Sequence, residues 1–337
     1  MHDLAKIAVI SDIRPIPDRD RIVLATVENY DSIVAKDEYA VGDRVVYIFY
    51  DSILPEEPAY EFLRKKCWSP KLKGFRIKPM KMGGVISEGL VMPLSILPPG
   101  KEYKVGDIVT DDLGIRPYIP PEESGPVKKI GAYPVAVPKS DEENIESVYD
   151  ENYSVWKDLE FYVTEKVEGA AGTWIYEKDG ERLRVFSHNW EMADGVWKDA
   201  ADNLSLKEKM ASYCEKHSLE ALVLQGEVIS AGLQKNIYYV QKADVYFYGM
   251  MTLEGERYTF AEMRAALEEM GLKIVPVIRE SAYMPPALQE MLEECVGRSV
   301  INPSVPREGL VWRTTGKGKD VHFKVKSRPY KVWFEEK

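Results

Sequence analysis

Lys166 sits in "FYVTEKVEGAAGTWIY", an apolar, strand-like run that places Glu165, Lys166 and Glu168 beside a Gly/Ala cluster. If Phe161 to Val167 form a strand, a period of two puts Tyr162, Thr164, Lys166 and Glu168 on one face, opposite Phe161 and Val163. A lysine attacks only after losing its proton. With an ordinary pKa near 10.4, that loss costs about 4–5 kcal/mol at neutral pH unless desolvation or nearby cations help. Lys324 and Lys326 could supply such cations. In "HFKVKS" alternation puts both on one face and Phe323 and Val325 on the other, although any solvent-facing strand with alternating lysines reads the same way.

Carboxylates form the second group. Glu227 interrupts the apolar run "ALVLQGEVIS", where an unpaired carboxylate is costly to bury, so it should meet a hydroxyl, a metal or a lysine, or else lie on the open face of a half-buried strand. Glu308 in "PREGLVWR" has the same two readings. In "ADVYFYGM" alternation separates Phe247 from Tyr246 and Tyr248, so one face is core and the other could offer a ring to a base.

These side chains need strands to hold them. Residues 4 to about 110 read as short β segments ("KIAVISDIRPI", "RIVLATVEN", "SIVAK", "DRVVYIFY", "GVISEGLVMPL", "GDIVTDDL") cut by Gly, Pro and Asp turns, the pattern of a small barrel or sandwich. Residues 119–150, rich in Pro and charge, read as a linker. Beyond them strand-like runs alternate with helical patterns at "NLSLKEKMASYCEKH", "TFAEMRAALEEMG" and "PPALQEMLEECVG", so the second module is α+β with largely antiparallel sheet. "REGLVWRTT", a Gly/Lys turn and "DVHFKVKS" read as a closing hairpin.

Composition narrows the class. With 337 residues, 45% apolar and 11% aromatic, the chain can build packed cores. A net charge of −10 excludes nucleic-acid binding over the whole surface, but "LRKKCWSPKLKGFRIKPMKMGG" has no acidic residue and interleaves basic side chains with Trp68 and Phe75. That mixture suits a phosphate backbone with stackable bases. Cys67, Cys214 and Cys295 are too scattered for a disulfide framework or a zinc site, and no long apolar window spans a bilayer, so an intracellular protein without membrane contact is expected. There is no P-loop, dinucleotide fingerprint, zinc-protease motif or nucleophile elbow.

In order along the chain, "EKVEG", "SHN", "LQGEVIS", "VYFYGM", "REGLVWR" and "FKVKS" resemble the nucleotidyltransferase motifs of ATP-dependent ligases and mRNA capping enzymes. Glu168 replaces the usual aspartate of lysine-x-Asp-Gly. The chain looks most like the fifth family of RNA nick-sealing ligases, whose N-terminal OB-fold module resembles "LKGFRIKPMKMGGVISEGLVMPLSIL". The resemblance implies an OB-fold over residues 1–118 and, over 151–337, a nucleotidyltransferase domain with an ATP-grasp-like antiparallel sheet.

It also implies roles. Lys166 would attack the α-phosphorus of ATP and hold AMP, Glu165 would meet the adenine edge, Phe247 would stack on the base and Glu227 would bind the ribose. Lys324 and Lys326 would contact the α-phosphate. Glu308, with Glu168 and Glu227, would organise Mg²⁺ or Mn²⁺ through water. The partner would be RNA with 3′-OH and 5′-phosphate ends in a nicked duplex, and the protein a monomer. Where related ligases have Ser-Arg-Asn, this chain has Ser187, His188 and Asn189, a titratable ring for a fixed charge. The rivals are a DNA ligase or capping-type enzyme, disfavoured by domain order, and a non-catalytic OB-fold RNA-binding protein, which would not need Lys166.

Overall fold

The computed structural model describes residues 4–118, 127–316 and 320–337. The chain divides into two units, Met1–Pro121 with Lys331–Lys337, and Glu122–Tyr330.

In the first unit, β-branched runs between turn residues form an antiparallel five-stranded sheet ordered Leu90–Met92, Arg44–Ile48, Ala5–Ile16, Arg19–Val27, Tyr30–Ala35. Glu28 and Asn29 join the last two strands with φ of 53° and 66°, the left-handed pair that a two-residue hairpin needs. A second sheet runs Arg116–Pro117, Ser52–Leu54, Gly74–Ile77, Trp68–Ser69. The Ala5–Ile16 strand is buried on both faces: Ala5 and Ile7 pack with Leu54 and Phe75, and Ala8 and Ile10 with Ala25 and Tyr47. The strand expected at "GDIVTDDL" is only a bridge from Ile108 to Lys6. Its backbone still reaches the Ala5–Ile16 strand, Val109 N–H donating to Ala5 and Ile7 N–H to Asp107, before Leu113 N–H turns back on Val109.

The second unit holds two more sheets. One runs Lys129–Ala132, Trp190–Met192, Arg182–Phe186, Ala170–Glu177, Ala221–Ile229, Asp244–Met251; the other runs Glu143–Asn144, His322–Lys326, Gly309–Thr314, Phe161–Lys166, Val277–Ala282. All their pairings are antiparallel except that of Glu143–Asn144 with Phe323–Lys324. Helices Leu206–Lys216, Phe260–Glu269 and Leu288–Glu294 fall within the three expected patterns, and Thr259 closes a capping box with Glu262.

The stretch expected as a linker is structured where it is described. Residues 119–126 lie outside the described residues, but Lys129–Ala132 and Glu143–Asn144 each add a strand, and Ile145–Trp156 is a helix. The cause is burial, since Ile145 and Tyr149 pack in one cluster with Phe161, Trp312 and Phe323. The Gly/Lys turn of the closing hairpin includes residues 317–319, also outside the described residues. After Lys326 comes a helix that the sequence reading does not anticipate, Arg328–Glu336.

Candidate active site

Two sheet faces of the second unit build the site. Lys166 stands opposite Gly309, and Thr164 opposite Val311. On the next strand Val311 faces Lys324, and Gly309 faces Lys326. Cross-strand partners share a face, so Lys166, Thr164, Lys324 and Lys326 project to one side. Phe161, Val163, Leu310, Trp312, Phe323 and Val325 form a buried cluster, as expected for the opposite side. In the other sheet Ala171, Glu227 and Tyr246 are cross-strand partners.

A cavity of about 180 Å³ lies here, lined among others by Glu165, Lys166, Glu227, Tyr248, Arg313 and Lys324. Lys166 Nζ pairs with Glu308 Oε1 at 2.7 Å. Burial alone would lower the Lys166 ammonium, but Glu308, Glu227 and Glu168 outweigh it and hold the group above its ordinary value. Lys324 goes the other way: burial first, then Lys326 and Lys166, bring it down to about 8.

Burial pushes Glu227 up to about 8, with Glu308, Glu142 and Glu168 adding to the rise against Lys166. Glu168 is pushed up to about 7 by burial and Glu308, against Lys166, Tyr330 and Lys326. Glu165 accepts the Val300 N–H at 2.7 Å through Oε2, and burial raises its carboxyl. Glu165 Oε1 and Glu308 Oε2 are buried without a hydrogen-bond partner among the described residues.

Seven of the eight expected side chains therefore share one electrostatic neighbourhood; Phe247 does not. It is fully buried, edge-on to Trp174 with ring centroids 5.5 Å apart. The physical reason is alternation: Tyr246 is the cross-strand partner of Glu227 on the site face, so Phe247, paired with Gly226, turns the other way with Val245; a bulge then leaves Tyr248 as an extra residue, because Gln225 pairs with Gly249. Val245 and Phe247 stay with the core cluster while Tyr248 lines the cavity. Its hydroxyl lies 2.7 Å from Ser140 Oγ, and the Arg313 guanidinium carbon is 4.9 Å from its ring centroid. Gly169 is required by packing, because a Cβ there would fall 2.3 Å from the Val228 carbonyl oxygen.

The sequence reading misses four neighbours of the site. Arg313 shares its sheet face with Val311, a signal that alternation from "REGLVWR" carries, and it forms an ion pair with Glu142. Glu142 has no periodic signal, since it lies in the proline-rich stretch; burial pushes its carboxyl up, but Arg313, Lys166 and Lys324 outweigh this and hold it below its ordinary value. Tyr330 and Tyr238 contact Glu168 from outside the quoted motifs. His188 lines the cavity with Nε2 3.6 Å from Asp141 Oδ1.

An OB-fold domain model matches residues 4–94, and an RNA ligase model matches residues 159–331. Among solved structures the chain is similar to Naegleria gruberi RNA ligase with pyrophosphate, at 26% identity and a TM-score of 0.85 over 100% of both chains. It is also similar to variants of that ligase with AMP and manganese (26%, TM-score 0.85, 100% of this chain and 99% of that one) and with ATP and manganese (25%, TM-score 0.85, 99% of each). A search of curated proteins finds no match. With an RNA ligase model covering more than half its length, this chain, an OB-fold module followed by a nucleotidyltransferase domain, belongs to the RNA ligase family.

Proposed function

We propose that the protein is an ATP-dependent RNA ligase that seals 3′-OH/5′-phosphate nicks through a lysine-bound AMP. The observation that carries the reading is the Lys166–Glu308 pair beside a cavity lined by Glu165, Glu227 and Lys324. In the first step Lys166 Nζ bonds to the α-phosphorus of ATP as the bond to the pyrophosphate oxygen breaks. Lys166 must first give up a proton, and Glu308 at 2.7 Å is the acceptor in reach. Lys324 and Lys326 face the same side of the sheet and offset the charge growing on the phosphoryl oxygens. Glu227 is suited to the ribose hydroxyls, the unpaired Oε1 of Glu165 to the adenine amine, and Tyr248, in place of Phe247, to the face of the base. AMP then passes to the RNA 5′-phosphate, and the 3′-OH displaces it to form the phosphodiester.

The residues fit a hydrated divalent ion. Glu168, Glu227 and Glu308 offer only hard oxygen donors, and Glu308 Oε2 is buried without a partner among the described residues. No three His, Cys, Asp or Glu side chains among the described residues form a ready-made metal cage, which suits contact through water. Bound Mn²⁺ or Mg²⁺ would polarise the phosphoryl oxygens. The N-terminal module (residues 1–118) is assigned to gripping the duplex, with the protein acting as a monomer.

The test is a sealing assay. Nicked duplex RNA with 3′-OH and 5′-phosphate ends should be joined with ATP and Mn²⁺, better than nicked DNA and not with GTP. Equal sealing of DNA, or GTP use, would move the reading to a rival.

A further inference from the structure

Glu168 follows Lys166 by two residues, just past the end of the Phe161–Lys166 strand, where backbone pairing no longer fixes it. Two tyrosines take over. The Tyr330 hydroxyl donates to Glu168 Oε2 at 2.7 Å, and the Tyr238 hydroxyl accepts the Glu168 backbone N–H at 2.9 Å. Both rings are buried, 3% and 8% exposed, so neither hydroxyl trades freely with water.

Tyr330 is itself fixed. Ser327 N–H donates to the Glu308 carbonyl at 2.8 Å, Tyr330 N–H donates to Ser327 Oγ at 3.3 Å, and Arg328 pairs with the fully buried Glu146 at 2.8 Å. The first turn of the Arg328–Glu336 helix is thereby tied to the segment carrying Glu308 and, through the chain, to Lys326. We infer that Tyr330 and Tyr238 are positioning residues that clamp Glu168 so that it presents its second oxygen to a hydrated divalent ion. This rests on the proposed metal role of Glu168. Groups that orient a metal-facing carboxylate typically matter ten- to a hundredfold in metal affinity. Neither tyrosine touches substrate; both act through Glu168.

Mn²⁺ binding to the full chain, followed by electron paramagnetic resonance with and without a non-hydrolysable ATP analogue, tests the clamp. Y330F, which keeps the ring and loses only the hydroxyl, should bind Mn²⁺ about ten- to a hundredfold more weakly. Its adenylylation should recover at saturating Mn²⁺, and its melting temperature should stay near wild type. Y238F should shift Mn²⁺ affinity in the same direction by a smaller factor. Y330F/E168A should bind no more weakly than E168A, because the tyrosine has nothing left to position. The inference is overturned by wild-type Mn²⁺ affinity in Y330F, by a loss that adds in full to that of E168A, or by a wild-type protein that binds no Mn²⁺. Labelled-ATP adduct formation by wild type judges the ligase reading separately: an adduct with an unshifted Y330F sinks only the clamp.

Discussion

Lys166 Nζ and Glu308 Oε1 lie 2.7 Å apart, in a pair whose side chains are only 21% and 8% exposed. The pair sets the resting state of the site. Lys166 keeps its proton, because three carboxylates outweigh the burial that would remove it. Nucleophilicity must therefore be released by weakening that carboxylate field.

E308Q should make the point directly. Without its nearest anion, Lys166 loses part of what holds its proton. It should then be labelled faster at pH 8 by an amine reagent, read by peptide mass spectrometry, while ATP-dependent adenylylation falls at least tenfold. Unchanged labelling would mean that Glu308 does not govern the lysine.

Lys324 predicts a pH dependence. Its ammonium titrates near 8, so ATP capture should fall as pH rises through about 8. K324R, whose guanidinium keeps its charge, should extend activity to higher pH. For stability the sign is opposite. From about 8 to 10.5 the unfolded chain holds a proton that the folded chain has lost, so stability rises with pH there. Below about 8 the buried charge costs the fold up to about 3 kcal/mol. K324M should therefore melt higher at pH 7 while losing adenylylation; a lower melting temperature would count against a strained lysine.

Strand alternation separates two neighbouring rings by function. F247A should cost about 3–5 kcal/mol of stability, because it empties a core site. Y248A also empties a buried site, but it should in addition weaken ATP binding by about 1–3 kcal/mol, the range for ring–base stacking, which F247A should not. Chemical denaturation and ATP titration would separate the two effects.

In the first unit the basic stretch splits by pairing. Arg76 and Lys78 meet Glu335, and Arg64 meets Glu56 and Glu61. Lys65, Lys71, Lys73 and Lys81 are exposed. Alanine at these four should flatten the salt dependence of RNA binding by up to about one in log–log slope per lost phosphate contact. R64A should change it little.

How much was legible depended on whether a charge broke a pattern. Lys166 and Glu227 stand out because each puts a charge into an apolar run, Lys324 and Lys326 because they alternate with Phe323 and Val325, and sheet register places them on facing surfaces. Phe247 as the stacking ring comes from the motif resemblance alone; alternation itself separates it from Tyr246 and Tyr248, and the fold buries it with Val245. Glu142 was invisible because its place depends on a two-residue parallel pairing with Phe323–Lys324, far along the chain. Tyr330 was missed because the final helix is short and starts at Arg328-Pro329, immediately after the last lysine motif.

The most direct test of the central claim is incubation with ATP labelled at the α-phosphate in the presence of Mn²⁺. The account predicts an acid-labile AMP adduct on Lys166, absent from K166A and reversed by pyrophosphate. No adduct on the wild-type protein, or an adduct that persists in K166A, would contradict it.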